Sequence, residues 1–180
     1  MGEIIKSEFV KYFCGIIFNG ALDLITVKKE LSNRFGEIDS EFGPVPFQWT
    51  DYYIEEMGKN LFKSFVSFKA LQPKDSAPDF KIITNEIELR FMNAEKRTVN
   101  LDPGYIEMSK LILMTTKNFS HRIFIGKDIY AEITLILRNG RWDCLDWTYP
   151  DFKSSDYLHY FKKLREIYRS QMKSNRNKQP

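Results

Sequence analysis

Two cysteines and two histidines are all that the 180 residues offer a soft metal ion. No C-x-x-C, H-E-x-x-H or paired-histidine spacing organises them, which argues against a closed zinc site. Cys14 and Cys144 stand far apart without a partner pattern and read as reduced thiols of a cytoplasmic protein. Glycine (9) and proline (7) are too scarce for a linker-built or disordered chain. No window approaches the ~20 consecutive apolar residues of a membrane span. The segment Met1-Gly2-Glu3-Ile4-Ile5-Lys6-Ser7-Glu8 has acids where a secretory leader has bases, and its serine falls one place too late for an acylation start. Also missing are the phosphate loop G-x-x-x-x-G-K-[ST], the dinucleotide pattern G-x-G-x-x-G and the serine and cysteine nucleophile motifs. Gly126-Lys127-Asp128 comes nearest to a phosphate loop but lacks the upstream glycine and the hydroxyl residue.

What is present suits one domain. The chain is 43% hydrophobic, 15% aromatic and 28% charged, and a chain of this length buries about two-thirds of its unfolded surface without disulfide or metal. The net charge of +3 is unevenly placed. From Phe161 onward seven bases (Lys162, Lys163, Arg165, Arg169, Lys173, Arg176, Lys178) face one acid, Glu166, and the first 160 residues carry a net −3. A domain-wide basic footprint for nucleic acid is therefore absent, and only the C-terminal end is suited to that role.

Hydrophobic periodicity outlines the elements. Lys11 to Phe18 reads as a buried strand, and Leu24, Val27, Leu31 and Phe35 as a helix stopped by Gly36. Residues 37–50 read as extended, because Gly43-Pro44 and Pro46 forbid a helix. Residues 52–71 favour two extended segments kinked near Gly58, although a helix also fits Phe62, Phe65 and Phe68. Residues 81–92 favour a short helix, with Asn85 and Glu88 as a capping pair against an alternation that suits a strand. Val99 to Leu101 is extended. Asp102-Pro103-Gly104 is either a tight turn or a helix start capped by Asp102, and Met108, Leu111, Ile112 and Thr115 continue as a helical stripe. Three strands follow, Arg122 to Ile125, Ile129 to Leu137 and Arg141 to Leu145, with Gly126-Lys127-Asp128 and Arg138-Asn139-Gly140 as turns. Tyr157, Phe161, Leu164 and Tyr168 mark a final amphipathic helix behind Ser154 and Ser155. These elements compose a single α+β domain over residues 1–172. Its antiparallel or mixed sheet of five to six strands carries three to four helices mainly on one face, and a basic polar tail follows at 173–180. One echo stands out: Trp49-Thr50-Asp51-Tyr52-Tyr53 and Trp147-Thr148-Tyr149-Pro150-Asp151-Phe152 share an aromatic, threonine and acid character.

Several motifs resemble a known family. Thr50-Asp51-Tyr52-Tyr53 with Glu56-Met57-Gly58, Thr84-Asn85-Glu86, Val99-Asn100-Leu101-Asp102-Pro103-Gly104-Tyr105, Thr115-Thr116-Lys117-Asn118-Phe119-Ser120-His121-Arg122, Tyr130-Ala131-Glu132 and Trp147-Thr148-Tyr149-Pro150-Asp151 carry the likeness. Over about residues 10 to 172 the chain is similar to a bacterial family catalogued as a domain of unknown function (DUF 4416). That resemblance implies no activity. Some members bear a GTP-binding label, whereas this chain lacks both the phosphate loop and the base-reading N-K-x-D.

Candidate chemistry concentrates between Asn100 and Arg122. Lys117, Arg122, Thr115 and Thr116 suit an anionic ligand, with Arg122 able to clamp a carboxylate or phosphate through parallel hydrogen bonds. His121 suits an acid or base near neutral pH. Asp102 and Glu132, a lone acid in an apolar strand, complete the catalytic candidates, and Asp51 joins the binding set. If Asp102, Glu132 and Asp51 converge, they suit Mg2+ with a substrate phosphate completing its shell. Lys81, Arg90 and His159 read as solvated surface residues. Two functions follow as expectations. The first is a pocket binding, or turning over, a small anion such as a nucleotide or phosphorylated metabolite. The second is an RNA- or protein-binding module using the basic C-terminal helix and tail. Oligomeric state stays open.

Overall fold

Strand β1 (Lys11–Asn19) is almost wholly buried, because helices cover both of its faces. In this computed structural model, which describes residues 9–176, the alternation of β1 sends Tyr12, Cys14, Ile16 and Phe18 one way and Phe13 the other. The first set packs under α1 (Leu24–Phe35) and α3 (Ala77–Arg90), with Tyr12 stacked on Phe80 at 4.4 Å. Phe13 meets α4 (Ser155–Arg176), whose Tyr157, Phe161, Leu164 and Tyr168 form the second core. The helices therefore sandwich the sheet rather than lying mainly on one face. The N-terminal segment considered above as a leader or acylation signal lies outside the described residues. So do 177–180 of the expected tail, whereas 173–176 continue α4.

The remaining strands are β2 (Ile38–Pro46), β3 (Leu61–Phe68), the short pair β4 (Met92–Asn93) and β5 (Lys96–Arg97), β6 (Val99–Ile106), β7 (Lys110–Thr115), β8 (Ile123–Gly126), β9 (Ile129–Arg138) and β10 (Arg141–Cys144). The main sheet runs β10-β9-β7-β6-β1-β3-β2, with β8 also on β9, and every pairing is antiparallel. Its eight strands exceed the expected five to six. One of the additional strands, β7, was expected to be helical. Its Leu111, Ile112, Leu113 and Met114 are all buried, and a strand covered on both faces gives a continuous apolar run that imitates a helical stripe. Asp102-Pro103-Gly104 is neither turn nor helix start; it lies within β6. Gly104 is required there by close packing, since a Cβ would lie 2.5 Å from the Ile112 carbonyl and from the Phe13 ring.

Other elements follow their local chemistry. Asp23 caps α1 by accepting the Ile25 amide at 3.0 Å, and Gly36 ends it at φ 94°. The first of the two extended segments expected in 52–71 is instead the four-residue helix α2 (Ile54–Met57), closed by Gly58 at φ 85°. Helix α3 is longer than the sequence suggested and starts at Ala77 with Pro78 in its first turn, so Asn85 is interior rather than a cap. The meander turns are as read, with Lys127, Asp128, Asn139 and Gly140 all at positive φ. Ser154 caps α4 through the Tyr157 amide at 3.4 Å. Both cysteines are free. Among the described residues, no helix is long and apolar enough to cross a membrane.

Candidate functional site

The site begins where the sheet comes apart. Strand β6 pairs with β7 only over Gly104–Ile106, after which Leu113 to Thr115 of β7 follow β9 and leave the Asn100–Pro103 stretch of β6 with an open edge. Leu101 directs both its backbone groups into that opening. Helix α3 satisfies them with side chains: Glu88 accepts the Leu101 amide at 2.6 Å and Lys81 donates to its carbonyl at 2.9 Å. Two residues along, Pro103 presents its ring nitrogen to the same edge, where no donor is missed.

A cavity of about 580 Å3 occupies the divergence. Helix α3 contributes Lys81, Asn85 and Glu88, one polar stripe at helical spacing, and β6 contributes Asn100 and Asp102. Thr115, Thr116 and Lys117 at the end of β7 and Glu132 of β9 form the opposite wall. The two echoing segments close the mouth from different loops, Trp49, Thr50, Tyr52 and Tyr53 from one and Tyr149 to Phe152 from the other.

The least exposed charge lining the cavity is Lys63 on β3, 1% exposed. Its ammonium passes over β1 at Gly15 to reach Asp102 at 3.0 Å and Asp151 at 3.7 Å. The rings of Phe47, Phe65 and Phe152 surround it at 5.4 to 5.7 Å. Burial by itself would lower the Lys63 pKa, but the two carboxylates hold it above its usual value. Burial likewise works to raise Asp102, yet Lys63 and Lys81 keep it below the normal carboxylate range. Asp151 and Glu88 go the other way, both raised chiefly by burial. Arg97 enters from the β4–β5 hairpin, gripping both oxygens of Glu56 at 2.7 Å and touching Asn100 at 3.1 Å and Glu88 at 3.5 Å. Its pKa is raised, first by the hydrogen bonds to Glu56.

The structure brings most of the sequence-selected residues together, in two shells. Asp102, Glu132, Thr115, Thr116 and Lys117 line the cavity. His121 and Arg122 stand behind Glu132, whose side chain is 2% exposed: the Arg122 Nε donates at 2.8 Å and His121 Nε2 lies at 3.2 Å, both on the same oxygen. The remaining nitrogens of Arg122 hold the Lys117 carbonyl and the Tyr149 hydroxyl, each at 2.9 Å, so this guanidinium ties three parts of the wall together. The His121 ring is stacked on Trp147 at 5.1 Å. Lys117 reaches Tyr52 at 2.9 Å across the mouth. Asp51 is exposed and does not line the cavity, although its neighbours Thr50 and Tyr52 do. Among the described residues, no three His, Cys, Asp or Glu side chains gather closely enough to hold a metal, so Asp102, Glu132 and Asp51 form no such group.

Lys63, Lys81, Glu88, Arg97 and Asp151 escaped the sequence reading, and Lys81, expected in solvent, is buried. Two signals were available. Lys81, Thr84, Asn85 and Glu88 follow helical spacing, so a helix placed one turn earlier puts a polar stripe on its inner side. Lys63 is a lone charge in the apolar strand Leu61–Phe68. The basic residues Lys162, Lys163, Arg169 and Lys173 are exposed on α4, and among the described residues none of that helix lines the cavity. In comparisons with known proteins, a family profile described as "Domain of unknown function (DUF4416)" matches residues 8–168. No curated protein and no solved structure matches the chain.

Proposed function

The chain belongs to that family, whose description assigns no activity, and we propose from the site itself that the cavity binds a small molecule through an anionic group. One observation carries the reading. Lys81 is 8% exposed, lines the cavity and donates to a neutral carbonyl, with no carboxylate within ion-pair distance among the described residues. Asp102 and Glu88 act on it only from beyond contact distance, which leaves its remaining donors for an anionic ligand that would pair with it directly. The Asn85 amide and the Thr115 and Thr116 hydroxyls line the same space and add neutral donors. The candidate ligands are nucleotides and phosphorylated or carboxylated metabolites. The other reading, in which exposed Lys162, Lys163, Arg169 and Lys173 engage RNA or an acidic protein, has only their exposure in its favour, and a solvated helix face provides that equally.

A thermal-shift screen of the full chain against these compounds at millimolar concentration, with and without Mg2+, tests the reading. A true ligand at a hundred times its Kd adds about 2.7 kcal/mol and moves the melting temperature by several degrees. Lys81→Met should abolish that shift. Flat melting curves across all classes reject the proposal.

A further inference from the structure

The charges around the cavity are balanced, four cations against four carboxylates. Such a lining is poorly suited to a polyphosphate, whose several negative charges demand an excess of cations, and well suited to a molecule carrying both signs. The cation-seeking part is identifiable. Asp102 lies on β6 beside the central strand, yet its side chain is 31% accessible, and that surface opens into the cavity. Each of its oxygens has one protein donor, Lys63 on Oδ2 and Asn100 on Oδ1. A carboxylate accepts about four hydrogen bonds, so capacity remains on the accessible side. Lys63 and Lys81 hold it ionised. The anion-seeking part is Lys81, which spends one of three donors on the carbonyl of Leu101, the residue immediately before Asp102.

We propose that the ligand is amphoteric, an α-amino acid or a derivative retaining its α-ammonium and α-carboxylate, with the ammonium on Asp102 and the carboxylate on Lys81. The inference rests on the preceding reading that the cavity binds an anionic group. An α-amino acid carries its two charged groups on one carbon atom, which matches two side chains brought to adjacent residues of one strand. Lys81 and Asp102 are not themselves paired, so a head group that bridges them displaces no ion pair. The Phe47, Tyr53 and Tyr149 rings line the cavity and supply an apolar wall for the rest of the molecule.

Calorimetric titration of the full chain with each of the twenty amino acids tests this. For the tightest binder, matched analogues lacking either the carboxylate or the amine are compared, such as L-phenylalanine with phenethylamine and 3-phenylpropionate. Inorganic phosphate and a nucleoside triphosphate complete the set. An amino acid should bind at least tenfold tighter than either of its analogues. Asp102→Asn should erase the advantage of the amino acid over its amine-free analogue, and Asp102→Glu should restore part of it, which separates recognition from misfolding. If the amine-free acid, phosphate or nucleotide binds as tightly as any amino acid, the amphoteric ligand is overturned and the anion pocket stands. If phenethylamine binds as tightly as its parent, or if no compound in any class binds, both readings fall.

Discussion

Lys63 and Asp102 meet at 3.0 Å although a whole strand, β1, runs between the strands that carry them. The contact is possible because β1 has Gly15 where the lysine stem crosses. A Cβ there would lie 3.2 Å from Cε and 3.3 Å from Nζ of Lys63, and 3.1 Å from the Phe65 ring.

Gly15→Ala is therefore expected to destabilise the fold by about 1–3 kcal/mol through overpacking, and Gly15→Val by more. Urea denaturation with the slope held common to the set reads this directly. An alanine variant as stable as the parent means that the lysine has room to shift.

Lys63→Met should cost about 3–5 kcal/mol at neutral pH, because it takes the shared cation from the buried Asp151 and from Asp102, whose carboxylate is only partly open to the cavity. Asp102 has a lowered folded pKa, so in the parent its contribution is present above its ordinary 3.8 and is lost as pH falls through the folded value. Without Lys63, burial dominates and protonation relieves the strain. The penalty of the substitution should accordingly shrink between pH 7 and pH 4, which paired denaturation curves at the two pH values check.

Glu88 has the opposite sign. Burial raises its pKa, so its titration favours the fold below the ordinary 4.5, and that advantage is lost as pH rises through the folded value. Glu88→Gln keeps an acceptor for the Leu101 amide and removes the titration. Relative to the parent, its urea midpoint should rise as pH is raised from 4 to 7, and a constant difference contradicts the assignment.

The Arg122–Glu132 pair should behave as a unit. Arg122→Met leaves a carboxylate that is 2% exposed without its closest cation and is expected to cost about 3 kcal/mol or more. The double variant Arg122→Met with Glu132→Leu should cost less than the two single changes added together, by more than 1 kcal/mol, on the order of couplings within one network. Additive effects show that the guanidinium acts mainly through Lys117 and Tyr149.

Legibility in the sequence followed locality. The meander, α1 and α4 are specified by turn residues, caps and spacing within a few positions of one another, and they were readable. Strand β6 is read correctly over Val99 to Leu101 but ended too early, and β7 is taken for a helix, because their decisive partners are distant: Pro103 is tolerated by an edge that exists only where β7 departs, and Gly104 is required by Phe13 and Ile112. At the site, Asp102, Glu132 and the Thr115–Lys117 segment were found by residue type. Their complements Lys63, Lys81 and Asp151 were not, since a buried lysine and a solvated one look alike until the fold supplies the counter-ion or withholds it.

The seam between β6 and β7 is three residue pairs long, so by strand pairing alone the sheet is two blades joined by a short stitch. One blade carries Lys63 and Asp102 and the other carries Glu132. The width of the cleft is consequently fixed less by strand hydrogen bonds than by α3 and α4, each of which packs on both blades.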